Sequence, residues 1–203
     1  MLRFAINDLV EWKLSKKRQP LVIRGARQVG KTWLMKEFGK QYYKKIAYVN
    51  FDNNKRMERL FSDDIDISRI IAGLNLETGV SIEESDTLII FDEIQENPKA
   101  LTSLKYFNEN APGYHLVAAG SLLGVALHNG VSFPVGKVKF LDLYPLDFVE
   151  FLQALDRLDY VKLLRDGDWE MISTFKDKYI DLLKQYYVVG GMPYVVSTFI
   201  ENR

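Results

Sequence analysis

The sequence predicts an α/β fold followed by a helical C-terminal lobe. Over roughly the first 144 residues, five short apolar runs bounded by polar residues or glycine alternate with helical patterns. After Pro145 these runs stop, and apolar residues recur at helical spacing instead. Buried strands separated by crossover helices are typical of a parallel sheet in a three-layer domain. We therefore expect a core domain over residues 1–144 and a helical lobe over residues 145–203.

The five runs are taken as strands in chain order. They cover residues 20–24, 46–51, 87–91, 115–119 and 138–143, and residues 31–38 and 101–108 are predicted to be crossover helices. Gly190 and Gly191 interrupt the helical pattern near the end of the chain. Pro193 suits the first position of a helix, because its missing N–H would have no partner there. A last helix is therefore predicted to start at Met192 or Pro193.

The composition excludes several classes of function. The 203 residues carry 27 Lys plus Arg against 27 Asp plus Glu, so they lack the basic excess that drives binding to a nucleic-acid backbone. The basic clusters at residues 16–18 and 44–45 are interpreted as a solvated face. The absence of cysteine excludes disulfides, thiolate metal sites and thiol nucleophiles. Without a signal peptide or an apolar run near the roughly 20 residues that span a bilayer, the chain is predicted to be soluble and cytoplasmic, with no membrane partner.

The strongest motif is a glycine-rich loop between the first predicted strand and a predicted helix. Residues 25–32 read G-A-R-Q-V-G-K-T and fit the pattern G-x-x-x-x-G-K-[ST]. The glycines let backbone N–H groups converge on phosphate oxygens, and the helix directs its positive dipole end at them. The residues assigned to this phosphate site are Gly25, Ala26, Arg27, Gln28, Val29, Gly30, Lys31, Thr32 and Trp33.

Two residues of the loop are given separate roles, with ATP and Mg²⁺ as the cofactors. Lys31 is predicted to reach the β- and γ-phosphates, and Thr32 to supply a hydroxyl to Mg²⁺. The alternative is a glycine-rich turn with a solvated lysine, which the flanking strand and helix disfavour.

A second motif ends the third predicted strand with two acids. Asp92 is predicted to hold Mg²⁺, directly or through water, and Glu93 to polarise the attacking water as a general base. The alternative is that both acids begin a loop and cap the next helix. Because another predicted strand lies between the two motifs, the chain is expected to follow the additional-strand, catalytic-glutamate arrangement of phosphate-loop proteins.

Polar residues at other strand ends complete the candidate site. Ser121 follows the fourth strand and is a candidate to sense the γ-phosphate or orient water, although it could instead cap the next helix. His115 starts that strand and is interpreted as structural, while His128 falls in a loop without a second ligand type nearby. No metal site beyond Mg²⁺ is predicted.

Together these motifs resemble prokaryotic AAA-superfamily ATPases, close to the archaeal-type ATPases and the STAND branch of P-loop NTPases. The resemblance covers nearly the whole chain. Besides the phosphate loop it rests on F-D-E-I-Q-E-N-P at residues 91–98, A-G-S-L-L at 119–123, L-D-L-Y-P-L-D-F-V-E-F-L at 141–152 and G-G-M-P at 190–193. It implies a five-stranded parallel core in the order 5-1-4-3-2 with a small helical lobe.

The resemblance also assigns roles to residues outside the phosphate loop. Gly191 and Pro193 look like the element that packs against adenine in STAND proteins, with the helix start as the open alternative for Pro193. The family's Gly-Arg pair before the fifth strand is Gly136-Lys137 here, and Lys lacks the planar fork of Arg. Full-length relatives continue into a C-terminal domain, and the apolar residues close to Arg203 lead us to expect the same of this protein.

The function expected from these features is Mg²⁺-dependent ATP hydrolysis. ATP would bind between the sheet edge and the helical lobe, and hydrolysis would move the lobe. The alternative is an ATP-binding switch with little turnover. A kinase lid would need more arginines than the tail offers, and a GTPase would need N-K-x-D where residues 54–57 read N-K-R-M. ATP and ADP are the expected ligands; a homo-oligomer or a protein partner stays open, and nucleic acid is not supported.

Overall fold

The computed structural model describes residues 3–62, 65–120 and 136–203. These residues divide into two compact units. The first is Ala5–Leu143, and the second is Tyr144–Arg203 together with Arg3 and Phe4. The hydrophobic pattern of the sequence placed Arg3 and Phe4 in the core domain, whereas in the structure they belong to the second unit. The assignment of the two units to separate functional domains stays a prediction.

The first unit is built around a parallel sheet of five strands. They are β1 (Leu21–Arg24), β2 (Lys45–Asn50), β3 (Thr87–Asp92), β4 (His115–Gly120) and β5 (Lys139–Asp142). The spatial order is β2-β3-β4-β1-β5, which confirms the α/β fold class and the order 5-1-4-3-2. Since β4 pairs with both β1 and β3, it separates the phosphate-loop strand from the acid-bearing strand, as in the additional-strand arrangement.

Helices cover both faces of this sheet. On one face lie α1 (Ala5–Leu14) and α2 (Lys31–Tyr42), and on the other α3 (Lys55–Leu60), α4 (Ile67–Thr78) and α5 (Pro98–Asn110). Successive strand residues point to opposite faces. On β3, Leu88 and Ile90 therefore pack with α2, whereas Ile89 and Phe91 pack with the opposite layer. Every residue of β3 is buried, which explains its continuous apolar sequence.

The second unit is helical in all its described elements. They are α6 (Phe148–Ala154), α7 (Leu158–Asp166), α8 (Trp169–Thr174), α9 (Lys176–Val189) and α10 (Pro193–Glu201). A capping box starts α6: the Asp147 carboxylate accepts from the Glu150 N–H at 2.7 Å, and Glu150 Oε2 accepts from the Asp147 N–H at 3.3 Å. The last helix begins at Pro193, as predicted. None of the helices that the structure describes is long and apolar enough to cross a membrane.

Candidate functional site

The two glycines of the phosphate loop each have a local structural reason. A Cβ atom at Gly25 would lie 2.3 Å from the carbonyl oxygen of Leu143, closer than any side chain permits. Gly30 precedes α2 as its N-terminal cap, with φ 97° and ψ 21° in the left-handed region that glycine adopts easily. The backbone between β1 and α2 therefore requires glycine at position 25, where any side chain would clash. At position 30 glycine is favoured, because other residues would be strained in this conformation.

The entry to the loop is anchored by an ion pair between β1 and β5. Nε and Nη2 of Arg24 donate to the two carboxylate oxygens of Asp142, both at 2.8 Å. The N–H of Leu143 also donates to the Arg24 carbonyl at 2.7 Å. Sequence reasoning missed Arg24 and Asp142 as an anchor, because their pairing depends on strand register, which only the fold reveals.

Lys31 is the first residue of α2, and its ammonium lies within the loop. The residue is 7% exposed, and Nζ donates to the carbonyls of Gly25 at 2.9 Å and Ala26 at 2.8 Å. Burial lowers the pKa of Lys31, whereas the carboxylates of Glu93 and Asp92 act to raise it. The structure thus brings the predicted phosphate lysine to the two predicted acids.

Asp92 is the last residue of β3 and is 3% exposed. Its Oδ2 accepts hydrogen bonds from the Thr32 hydroxyl at 2.7 Å and from the Tyr48 hydroxyl at 2.9 Å. Its Oδ1 accepts from the N–H of Glu93 at 3.1 Å. The oxygens of Thr32 and Asp92 are therefore adjacent, and such hard oxygen ligands are the ones Mg²⁺ prefers. The residues present fit a magnesium ion.

Tyr48 is a contact of Asp92 that sequence reasoning missed. Burial, reinforced by the negative charge of Asp92, raises the pKa of Tyr48, so its hydroxyl stays protonated and donates. The ammonium of Lys36 lies 3.7 Å from the centre of the Tyr48 ring. Alternation along β2 could have indicated that Tyr48 shares the α2 face, but it could not have indicated the contact.

Glu93 has a left-handed backbone conformation, and its carboxylate accepts a hydrogen bond from a neighbouring side chain. Its φ of 50° and ψ of 44° are left-handed, and its side chain makes no capping hydrogen bond to the turn Ile94–Glu96 that follows. Oε2 instead accepts from Nε2 of Gln95 at 2.6 Å. Gln28, in the phosphate loop, also has a positive φ of 63°. Non-glycine residues in this region are uncommon, and they concentrate at functional sites.

The candidate residues surround a cavity of about 470 Å³. Its lining consists of Arg27, Gln28, Gly30, Lys31, Thr32, Trp33 and Glu93. Trp33 is 42% exposed, whereas the Val29 side chain is fully buried and packs in the core on the α2 side. The cavity has the size of a small-molecule site. Most of the predicted phosphate residues therefore converge on one space at the carboxyl edge of the sheet.

Other predicted site residues lie elsewhere. Ser121 lies outside the described residues. In the second unit, a Cβ at Gly191 would lie 2.1 Å from the Leu146 carbonyl oxygen, and the Leu146 N–H donates to the Gly191 carbonyl at 2.7 Å. Packing within that unit therefore accounts for glycine at 191, and Pro193 starts α10. A role for either residue at adenine stays a prediction.

Lys137 and His115 lie at the opposite edge of the sheet, where the strands begin. Lys137 pairs with Glu109 at 2.8 Å, so its charge is engaged away from the phosphate loop. His115 is buried and shares a hydrogen bond of 2.6 Å with the Tyr43 hydroxyl, which supports a structural role. In the basic cluster at residues 44–45, both lysines are paired with acids, Asp86 and Glu83.

Comparisons with known proteins agree with this architecture. The model of a family described as "AAA domain" matches residues 17–152. Among solved structures, the Walker-type ATPase PABY2304 of Pyrococcus abyssi has a TM-score of 0.56 and 15% identity, with 98% of this chain and 67% of that chain covered. At this identity the likeness shows the fold alone.

Two structures of ORC proteins from Aeropyrum pernix have lower TM-scores. The ORC2 protein in ADPNP-ADP complexes has a TM-score of 0.48 and 17% identity, covering 79% of this chain and 52% of that one. The ORC1 protein in complex with DNA has a TM-score of 0.47 and 15% identity, covering 77% and 49%. The chain thus spans about half the length of these two proteins. No curated protein matches the chain. Because the family model covers more than half of its residues, the chain belongs to the AAA family of P-loop ATPase domains.

Proposed function

We propose that the chain binds ATP with Mg²⁺ and hydrolyses it to ADP and phosphate. The observation that carries the proposal is the convergence of Lys31, Thr32, Asp92 and Glu93 at the carboxyl edge of the sheet. Phosphate-binding crevices in open parallel sheets lie at this edge. Family membership supports nucleotide binding, and the chemistry of the four side chains supports the hydrolytic step.

The binding roles follow from charge and ligand type. The N–H groups at the start of α2 and the Lys31 ammonium balance the negative charge of the phosphates. Thr32 and Asp92 hold Mg²⁺, which when bound neutralises charge that develops on the phosphate oxygens. Trp33, exposed at the cavity, is available to contact the rest of the nucleotide.

The hydrolytic step is assigned to Glu93. Its carboxylate accepts a proton from a water molecule while the water oxygen bonds to the γ-phosphorus. The bond from that phosphorus to the oxygen bridging it to the β-phosphate breaks, and ADP leaves. Gln95 orients the Glu93 carboxylate through the 2.6 Å hydrogen bond. Ser121 is kept as the candidate that senses the γ-phosphate.

A nucleotide-operated switch with little turnover is the second candidate. It is favoured by Lys137, which stands where the family carries an arginine and is paired with Glu109. In either case we propose that the nucleotide state controls movement of the helical unit. We also propose that Gly191 and Pro193 pack against the adenine of the bound nucleotide. A homo-oligomer or protein partner and a cytoplasmic location stay predictions.

The test is steady-state phosphate release from Mg·ATP over a range of protein concentrations. Glu93→Gln is compared with wild type and with Glu58→Gln, which removes an exposed carboxylate from α3. Binding of a fluorescent methylanthraniloyl-ATP confirms that each variant is loaded. We expect turnover to fall by about 100-fold or more in Glu93→Gln alone, with binding retained.

The other outcomes separate the alternatives. Tight binding with negligible turnover in all three proteins would favour the switch. Equal turnover in all three would exclude Glu93 as the base, and a failure of wild type to bind would overturn the assignment of the phosphate loop. A specific activity that rises with protein concentration would indicate assembly.

A further inference from the structure

Tyr48 reaches Asp92 across neighbouring strands. In the parallel pairing of β2 with β3, Tyr48 lies opposite Ile90 and Asn50 lies opposite Asp92. Tyr48 and Asp92 are thus diagonal neighbours on the α2 face. Since neighbouring strands lie about 4.8 Å apart and rise about 3.3 Å per residue, the backbones of the two residues are about 8 Å apart. A serine or threonine at 48 would be too short for this distance, whereas the phenol places its hydroxyl 2.9 Å from Oδ2 of Asp92.

The ring of Tyr48 is held by the helix that also supplies Thr32. Lys36 lies one helical turn after Thr32 on α2, and its ammonium rests 3.7 Å from the ring centre. Tyr48 also packs against the buried cluster on this side of the sheet. Since α2 contacts Asp92 directly through Thr32 and indirectly through Lys36 and Tyr48, the two hydroxyl donors are fixed relative to each other.

Both hydroxyls converge on one oxygen of a buried carboxylate. A carboxylate that ligates a cation, or orders its water, binds more tightly when neighbouring donors fix its orientation. We propose that Tyr48 is a positioning residue, whose hydroxyl orients Asp92 for Mg²⁺. The inference rests on the proposed function, and it extends the cation site from two residues to a set of three hydroxyl and carboxylate groups.

The test measures magnesium dependence without catalysis. Kd for methylanthraniloyl-ATP is determined in EDTA and in Mg²⁺, with energy transfer from tryptophan as the signal. The ratio of Kd in EDTA to Kd in Mg²⁺ is the magnesium dependence. Tyr48→Phe removes one oxygen and keeps the ring on which Lys36 rests. We expect the ratio in this variant to be about tenfold smaller than in wild type, with Kd in EDTA unchanged.

Two further variants bracket the result. Tyr43→Phe is the matched control, because it also removes the hydroxyl of a partly buried tyrosine from a hydrogen bond, the one to His115 at the opposite sheet edge. Asp92→Asn should abolish the magnesium dependence, so that the ratio falls to about one. We expect Tyr43→Phe to keep the wild-type ratio.

The outcomes distinguish this inference from the proposed function. A wild-type ratio near one would overturn both. A ratio lost in Asp92→Asn but kept in Tyr48→Phe would overturn only the role of Tyr48. A Tyr48→Phe protein that fails to fold while Tyr43→Phe folds would assign the hydroxyl to stability, and would also overturn the inference.

Discussion

The Thr32 hydroxyl donates a hydrogen bond of 2.7 Å to Oδ2 of Asp92, which ties the first turn of α2 to the last residue of β3. The two residues come from separate sequence motifs, and neither motif alone specifies the other's position. Their contact follows from the sheet order, in which β4 lies between β1 and β3. Because the helix after β1 covers the same face that Asp92 points to, the hydroxyl and the carboxylate meet.

This contact predicts how Thr32 variants behave. Thr32→Ala removes a proposed magnesium ligand and one of the two hydroxyls at Oδ2, so we expect the magnesium dependence of nucleotide binding to fall about tenfold or more. Thr32→Ser keeps the hydroxyl and should stay within about threefold of wild type. The same pair of Kd measurements checks both. Equal loss in Ala and Ser variants would mean that the methyl group, rather than the hydroxyl, matters at this position.

Gln95 provides a prediction about turnover alone. Gln95→Leu removes the 2.6 Å hydrogen bond to Glu93, so the carboxylate is less well oriented and we expect turnover to fall roughly tenfold. Leucine also removes the 3.3 Å hydrogen bond from Nε2 to Oε1 of Glu96, whereas Oε1 of Gln95 is buried without a hydrogen-bond partner among the described residues. We therefore expect the free energy of unfolding to fall by no more than about 1–2 kcal/mol. Phosphate release and denaturant unfolding are measured on the same samples. Unchanged turnover would exclude an orienting role for Gln95.

The sequence was sufficient to predict those parts of the candidate site whose residues lie together in one short segment. The phosphate loop and the acids after β3 each sit in one short segment, with residue types that few other structures require. The sequence did not predict roles for Tyr48 and Gln95, because a tyrosine in a strand and a glutamine in a turn are common. Only their hydrogen bonds to Asp92 and Glu93 in the structure point to a role. The strand order came from the family resemblance, since apolar runs reveal strands without revealing their neighbours.

Gly191 distinguishes packing from nucleotide binding in the helical unit. In Gly191→Ala the new methyl would lie 2.1 Å from the Leu146 carbonyl oxygen, so the backbone must shift. We expect the free energy of unfolding to fall by about 1–3 kcal/mol without any nucleotide. Gly167→Ala in the same unit is the comparison, because a Cβ there meets only Nε1 of Trp169 at 3.7 Å, and its cost comes from a left-handed backbone with φ 66° and ψ 31°. If Gly191→Ala is as stable as wild type, glycine at 191 is needed for something other than packing.

His115 predicts a loss of stability in mild acid. Burial, with the charges of Arg18 and Lys13, lowers its pKa from 6.5 to about 4. Between these values the unfolded chain binds more protons than the folded protein, so the free energy of unfolding rises with pH. The contribution is complete above pH 6.5 and is lost as the pH falls toward 4. Lowering the pH from 7 to 5 should therefore cost about 2 kcal/mol through this residue.

The measurement compares wild type with His115→Gln, which cannot titrate in this range. Denaturant unfolding at pH 7 and pH 5 gives the pH-dependent part of the free energy for each protein, and the difference between them isolates the imidazole from the carboxylates. The chain has two histidines, so His128→Gln identifies the remaining imidazole signal in an NMR titration of the folded protein. A midpoint near the ordinary histidine value, or equal pH dependence in both proteins, would mean that the Tyr43 contact leaves the ring accessible to protons. A midpoint close to 4 would show that burial at this edge of the sheet keeps His115 neutral in mild acid.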